Sequence, residues 1–134
     1  GRPWRIGVRD AAVPDRLMAI VPLHEGVVAS SGDYERFVMH EGRRYHHVID
    51  PATGRPTRGI HGVTLVARRA ADVNGLGTAA MVAGPLRAAA LLERCGVDQA
   101  LFVREDGGAW ISAALAGRIE PSSLPRGIGP AKNV

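Results

Sequence analysis

The sequence predicts an α+β domain with a mainly antiparallel sheet and a helix pair packed on it. Short β-rich runs fill the first half of the chain, and the segment 72–94 is rich in Ala, Leu and Met at helical spacing. A late hairpin pattern follows that segment. The 134 residues fit one domain, and a hydrophobic content of 46% favours a packed core over disorder.

The first half is predicted to consist of strands joined by turns, because apolar residues alternate with others in short runs. Leu17–Leu23 is apolar throughout, which leaves helix and strand both open. The remaining runs are predicted as strands, with the third and fourth forming a hairpin around Glu41-Gly42: Trp4–Val8, Val27–Ser31, Arg36–His40, Tyr45–Ile49 and Gly62–Arg68.

The second half begins with two predicted helices and ends in a hairpin and a tail. Asp72–Ala83 is the first helix, and Pro85 suits the first turn of a second helix, Leu86–Arg94. The late hairpin joins Gln99–Arg104 to Ala109–Ser112. Residues 119–134 are rich in Pro, Gly and Ser and are predicted to be a tail.

Composition excludes several classes of function. The net charge is +4, but the 17 basic residues include a single lysine, Lys132, and are scattered singly or in pairs. Aromatic residues make up only 4%, so there is no stacking platform and we expect no nucleic-acid partner. Cys95 has no second cysteine to pair with, and no apolar run is long enough to predict a membrane span.

Two histidines stand just before a turn in the stretch RRYHHVIDPATGRP. Side chains alternate along a strand, so one of His46 and His47 should face a cleft and the other the opposite surface. A histidine at a strand end, with Asp50 three positions later, is suited to act as a general base near neutral pH. Two alternatives stay open: a purely structural histidine, and an Asp50 that only caps the turn.

Two further stretches could hold a ligand. The Ser31-Gly32-Asp33 turn offers hydroxyls and free amides for a phosphate or a sugar, although such turns are common. Asn74 and Thr78 are four residues apart and would share one face of a helix, where their oxygens suit Mg²⁺ or Ca²⁺. Helix capping by Asp72 or Asn74 is the alternative for this second stretch.

The order and spacing of these three stretches resemble the ApbE family of FAD:protein FMN transferases. The resemblance rests on the Ser-Gly-Asp-Tyr-Glu-Arg segment at 31–36, on the His-His…Asp-Pro-x-Thr-Gly-x-Pro segment at 46–56, and on the helix start at 73–79. It covers residues 1–118. The implied fold is an ApbE-like, T-fold-related half, and the chain is expected to be the C-terminal portion of a longer enzyme.

The resemblance implies Mg²⁺-dependent transfer of the FMN moiety of FAD to a Thr or Ser hydroxyl of an acceptor flavoprotein, with release of AMP. His47 would be the base, with Asp50 supporting it. A hard cation would be held at Asn74, Gly77 and Thr78. The nucleotide would contact the five remaining residues of the site: Ser31, Gly32, Asp33, Val48 and Thr53.

Two features depart from the family pattern that the resemblance implies. The metal carboxylate of the family falls on Asn74, which carries no charge, and Asp72 could replace it only if the helix begins after Asp72. The missing N-terminal half, or a second chain, would have to complete the flavin site. A non-catalytic flavin-binding or accessory protein is therefore the alternative function. The setting implied by the resemblance is the bacterial cell envelope or periplasm.

Overall fold

The central element of the fold is a four-stranded antiparallel sheet. A computed structural model describes residues 1–13 and 15–120, so the predicted tail lies outside the described residues beyond position 120. The sheet has the order β10–β9–β8–β3, formed by β3 (Val27–Gly32), β8 (Ile60–Ala67), β9 (Gln99–Arg104) and β10 (Ala109–Ile111). The predicted α+β class with a mainly antiparallel sheet is confirmed.

Three antiparallel strand pairs and three short helices surround this sheet. The pairs are β1 (Trp4–Arg9) with β2 (Leu17–Leu23), β4 (Phe37–His40) with β5 (Arg43–His46), and β6 (Ile49–Asp50) with β7 (Arg55–Pro56). The helices are α1 (Leu76–Ala83), α2 (Ala88–Arg94) and α3 (Ala113–Ala116), and a 3₁₀ turn covers Ala70–Asp72. Within the part of the chain that the structure describes, no helix is long and apolar enough to cross a membrane.

Alternation along the sheet strands divides the apolar residues between two cores. On β8, Val63 and Leu65 pack towards α1 and α2, whereas Val66 packs towards the β1–β2 pair. The apolar run Leu17–Leu23, left open by the sequence, is a strand because it pairs with β1 along its whole length. Its buried Met18 joins the second of these cores.

The helices begin later than predicted. The first helix starts at Leu76 instead of Asp72, because Gly75 adopts a left-handed conformation with φ of 76° that no helix interior contains. The second starts at Ala88, which leaves Leu86 outside it with 96% of its surface exposed. The helix α3 was not predicted, since four residues are too few to show helical periodicity.

A buried carboxylate holds the β4–β5 hairpin on the sheet. The Asp33 side chain is 2% exposed. Its Oδ1 accepts a hydrogen bond of 2.8 Å from Arg44 on β5, and its Oδ2 accepts one of 2.7 Å from Nδ1 of His61 on β8. Because an unpaired buried charge is costly, these two partners stabilise the arrangement and fix the hairpin relative to the sheet.

The same contacts alter the titration of His61. The hydrogen bond that His61 donates to Asp33 raises the pKa of His61 above its ordinary value, and partial burial opposes this only in part. Glu105 lies nearby, and ligand-type atoms of Asp33, His61 and Glu105 lie within 4.8 Å of one another. Since the Arg44 guanidinium already neutralises Asp33, this group of side chains is better described as an ion-pair network than as a metal site.

The helix-side core offers a matched test of packing. Leu92 on α2 is 0% exposed, whereas Leu86 is 96% exposed. We expect Leu92→Ala to lower the free energy of unfolding by about 2–5 kcal/mol, because a buried leucine leaves a cavity behind. Leu86→Ala makes the same chemical change and should alter it by no more than about 0.5 kcal/mol. Urea denaturation followed by circular dichroism measures both, and equal effects would contradict the two-core description.

The His61 contact predicts a pH-dependent stability. A histidine with a raised pKa in the folded state stabilises that state fully below its unfolded pKa of about 6.5, and the stabilisation is lost as pH rises through the folded-state pKa. We therefore expect His61→Gln to cost roughly 1.5–3 kcal/mol of unfolding free energy near pH 5.5, from loss of a charge-assisted hydrogen bond. The cost should shrink steadily towards pH 8.5 in urea titrations.

The control for this measurement compares two variants: the single variant Asp33→Asn, and the double variant that carries both Asp33→Asn and His61→Gln. If Asp33 is the cause, adding His61→Gln to Asp33→Asn should change the pH dependence little. A cost of His61→Gln that stays constant from about pH 5.5 to 8.5 would show that the ion pair does not control this titration.

Candidate functional site

The two adjacent histidines have different surroundings. His46 is buried, its Nδ1 accepts a hydrogen bond of 3.3 Å from the Val48 amide, and its Nε2 donates one of 3.0 Å to the Thr57 carbonyl. This ring is therefore neutral with its proton on Nε2, and it braces the chain between positions 48 and 57. His46 does not reach the opposite surface as expected, because the loop that follows β5 covers it.

His47 is exposed and lines a cavity of about 490 Å³. Its Nδ1 lies 3.4 Å from the carbonyl oxygen of Arg36, at the long end of the hydrogen-bonding range. A carbonyl only accepts, so Nδ1 carries a proton, and in the neutral form of the ring Nε2 is the nitrogen with the free lone pair. The prediction that one ring of the pair faces a cleft agrees with this geometry.

The same cavity gathers five of the predicted site residues. Its lining includes Ser31, Gly32, His47, Val48 and Thr78. These residues come from β3, from the loop after β5 and from α1, which are far apart in sequence. The spacing of the motifs could not show this convergence, which depends on how α1 packs against β3.

Gly77 explains how α1 comes so close to β3. A Cβ atom at Gly77 would lie 2.5 Å from the Ser31 hydroxyl oxygen, which is too close for any side chain. The glycine therefore permits close packing of the helix on the strand, and the next residue, Thr78, reaches the cavity. Gly77 was predicted as a metal-site residue together with Thr78. Its position next to Ser31 fits a packing role instead.

Asn74 is not where the sequence placed it. It lies two residues before α1 and is exposed, so the expectation that Asn74 and Thr78 share a helix face is wrong. Asn74 is also not among the residues that line the His47 cavity. Asp72 does precede the helix, but it pairs with Arg69 at 2.7 Å and lines a different, larger cavity of about 630 Å³.

Three other predicted residues also lie away from the His47 cavity. Asp50 caps its own turn, since its Oδ1 accepts a hydrogen bond of 2.9 Å from the Ala52 amide. Asp50 and Thr53 line a third cavity, so the structure does not bring Asp50 to His47. Asp33 is buried in its ion pairs and not among the residues that line the His47 cavity, so its carboxylate shapes the site only through the hairpin that it holds.

The cavity also contains charged and aromatic residues that were not predicted as site residues. Arg9 and Glu35 form an ion pair of 2.9 Å at its edge. The Arg36 side chain has no hydrogen bond or ion pair with any of the residues the structure describes, and it lines the cavity beside His47. The Tyr34 ring packs on Gly32, and burial raises the pKa of its hydroxyl.

Part of this set could have been found from the sequence. Tyr34, Glu35 and Arg36 follow the Ser-Gly-Asp turn directly, inside the segment that was singled out. Arg9 gave no signal, because it reaches the cavity only through the pairing of β1 with β2 and the packing of that pair beside the sheet.

Comparison with known proteins finds the family that the sequence motifs resemble. The match to the ApbE family covers residues 1–102 of this chain. The FAD:protein FMN transferase of Treponema pallidum is 39% identical over 119 residues, which are 87% of this chain and 33% of that protein. The enzyme of the same name from Vibrio cholerae is 34% identical over 110 residues, 81% of this chain and 33% of that protein.

Solved structures show the same similarity. The ApbE protein of Thermotoga maritima is 38% identical with a TM-score of 0.78, covering 88% of this chain and 38% of that one. The flavinyl transferase ApbE of Pseudomonas stutzeri is 35% identical with a TM-score of 0.68, covering 88% and 39%. The chain thus spans about a third of the length of the curated relatives it matches. Its assignment to their C-terminal portion, over residues 1–118, stays a prediction. The match over most of its length nevertheless shows that this chain belongs to the ApbE family.

Proposed function

We propose that this chain forms part of the active site of an enzyme that transfers the FMN moiety of FAD to a Thr or Ser hydroxyl of an acceptor protein, releasing AMP. The observation that carries the proposal is the convergence of Ser31, Val48, His47 and Thr78 on one cavity. The relatives from Treponema pallidum and Vibrio cholerae are named FAD:protein FMN transferase, which supports FMN transfer from FAD to a protein. The Thr or Ser hydroxyl and the release of AMP belong to our proposal.

The proposed reaction exchanges the phosphoanhydride bond that joins the two halves of FAD for a phosphoester bond to the acceptor. The acceptor hydroxyl oxygen attacks the phosphorus of the FMN half, forming a new P–O bond. The bond between that phosphorus and the oxygen bridging to the AMP half breaks, and AMP leaves with the electron pair. The hydroxyl proton passes to Nε2 of His47, and nothing is oxidised or reduced.

His47 suits the role of base for a structural reason. Its Nδ1–H points to the Arg36 carbonyl, so in the neutral ring Nε2 is the nitrogen free to accept a proton. The neighbouring His46 cannot take this role, because both of its nitrogens are occupied by backbone groups. The pair therefore divides structural and chemical work between two adjacent rings.

The charge on the diphosphate requires a positive partner in the site. Arg9 and Glu35 neutralise each other, which leaves Arg36 as the arginine of this cavity without an acidic partner within the described residues. Thr78 in this cavity offers an oxygen donor of the kind that Mg²⁺ accepts, and Asn74 offers a second one from outside the cavity lining, two residues before α1, but neither is charged. Mg²⁺ held there would neutralise further charge on the diphosphate.

The remaining contacts to the flavin would come from outside this chain. Because the chain spans about a third of its relatives, we infer that an N-terminal half or a second chain completes the flavin site. The acceptor would be a flavoprotein with an accessible Thr or Ser, and the bacterial cell envelope is the setting we expect for both.

One assay tests the proposed reaction. The full chain, together with the N-terminal half or second chain that completes the flavin site, is incubated with FAD, MgCl₂ and envelope proteins of the source organism, and the products are separated under denaturing conditions. A flavin-fluorescent protein band that survives denaturation, with an equal amount of AMP released, is the expected result. FAD that stays bound but is released intact on denaturation would instead support the non-catalytic accessory protein.

The role of His47 predicts a large loss of activity. We expect His47→Ala to lower the rate of FMN transfer by about 10²–10⁴-fold, because the acceptor hydroxyl loses its base. The matched control is His40→Ala, another exposed histidine on the same hairpin that does not line the cavity. The control should transfer FMN at a rate close to that of the unaltered chain. Equal rates for the unaltered chain and His47→Ala would rule out this base.

Because Asn74 carries no charge, we predict that the chain binds Mg²⁺ weakly. We expect Asn74→Asp to lower the Mg²⁺ concentration for half-maximal binding roughly tenfold, because one carboxylate adds a full negative charge to the donors. Mn²⁺ in place of Mg²⁺ allows direct measurement by electron paramagnetic resonance. Asp72→Asn is the control, since that carboxylate pairs with Arg69 and lines a different cavity. An unchanged binding curve for Asn74→Asp would exclude position 74 as a ligand.

A further inference from the structure

We propose that the cavity lined by Asp50 and Thr53, the third one described above, is a binding site for a small phosphate-bearing molecule. The cavity has a volume of about 600 Å³ and lies between β5, the β6–β7 pair and α1. This volume is in the range of sites that hold nucleotide-sized ligands. The proposal does not depend on flavin transfer, because it rests on residues that do not line the His47 cavity.

Three arginines line this cavity, and none has a side-chain partner among the residues that the structure describes. Arg43, Arg55 and Arg58 come from β5, from β7 and from the residue after Thr57. Their side chains make no hydrogen bond or ion pair with any residue in the described ranges. Elsewhere in the chain arginines do pair, as Arg16 does with Asp10 and Arg69 with Asp72.

Such a set favours an anion on electrostatic grounds. Guanidinium groups gathered at one concave surface repel one another and raise the local positive potential. Each is a planar donor that matches the oxygens of a phosphate in a bidentate manner. The carboxylate in the lining, Asp50, is already engaged with the Ala52 amide and neutralises only part of this charge.

A buried hydroxyl in the same cavity points independently to a ligand. Thr57 is 4% exposed, and its Oγ1 is buried without a hydrogen-bond partner among the described residues. A buried hydroxyl without a partner is costly and is uncommon in folded proteins. A phosphate oxygen accepting from this hydroxyl would remove the cost, which an apolar ligand could not do, and the three arginines disfavour a cation.

The two cavities share a wall. Val48 lines the His47 cavity and Thr57 lines the arginine cavity, and the two residues are joined by a hydrogen bond of 3.0 Å from the Thr57 amide to the Val48 carbonyl. His46 braces the same wall through its bond to the Thr57 carbonyl. An anion bound at Thr57 would therefore rigidify the segment that positions His47, without occupying its cavity.

Inorganic pyrophosphate is the probe that tests the site. We expect isothermal titration calorimetry on the full chain to detect its binding, and Arg58→Gln to weaken that binding at least about tenfold through loss of a charge-assisted contact. Arg94→Gln removes the same charge from an exposed position on α2 outside the cavity, and it should change the affinity by less than about twofold. In NMR spectra, the amide signals of Thr57 and Arg58 should shift on titration.

A second variant separates binding from folding. Thr57→Val keeps the shape of the side chain and removes the unpaired hydroxyl, so the urea midpoint should stay the same or rise. Pyrophosphate binding should nevertheless weaken several-fold. A fall in the urea midpoint would show that the hydroxyl has a partner in the free protein, which would overturn the argument from Thr57.

Other outcomes decide between this site and the proposed enzyme. Absence of pyrophosphate binding, or equal effects of Arg58→Gln and Arg94→Gln, would overturn the arginine site. Binding that is lost in Arg36→Gln but kept in Arg58→Gln would place the anion in the His47 cavity and also overturn it. Binding that depends on Arg58 in a chain that never transfers flavin would support the arginine site and leave the enzyme proposal without support.

Discussion

The position of the candidate site depends on one buried carboxylate. Asp33 is the residue that follows β3, and it pairs with Arg44 on β5 and His61 on β8. Three separate parts of the chain therefore meet at one charge. A two-stranded hairpin has little stability of its own. Without that charge pairing, neither Arg36 nor His47, which flank the hairpin at its open end, would have a fixed relation to the sheet.

Strand alternation then distributes the chemistry around this anchor. On β5, Arg44 and His46 face inwards, where one pairs with Asp33 and the other braces Thr57. Arg43 and Tyr45 face the arginine cavity instead. One four-residue strand thus supplies a structural ion pair, a structural imidazole and two lining side chains, and His47 is the first residue beyond it.

The sequence predicted the local structure well because turns and alternation are local signals. The hairpin turn Glu41-Gly42 has φ values of 48° and 73°, the left-handed pair that a two-residue turn requires, and its position was predicted. The site was predicted only in part because its assembly depends on packing. Helical periodicity predicted that the first helix begins at Asp72. The left-handed conformation of Gly75 makes it begin at Leu76 instead, so Asn74 was wrongly placed on the helix.

Arginine usage shows why composition alone carried little information about the sites. The basic residues are scattered singly or in pairs along the sequence, which pointed to no particular ligand. In the structure, some of them neutralise carboxylates, as Arg44 does for buried Asp33 and Arg9 does for Glu35 at the edge of the His47 cavity. Others face concave surfaces without an acidic partner within the described residues. Because a guanidinium keeps its charge at any physiological pH, its role is decided by whether a carboxylate lies opposite it. Where none does, the charge is available to a ligand. This condition is met in the His47 cavity by Arg36 and in the arginine cavity by Arg58, and these two cavities lie on either side of the segment from His46 to Thr57.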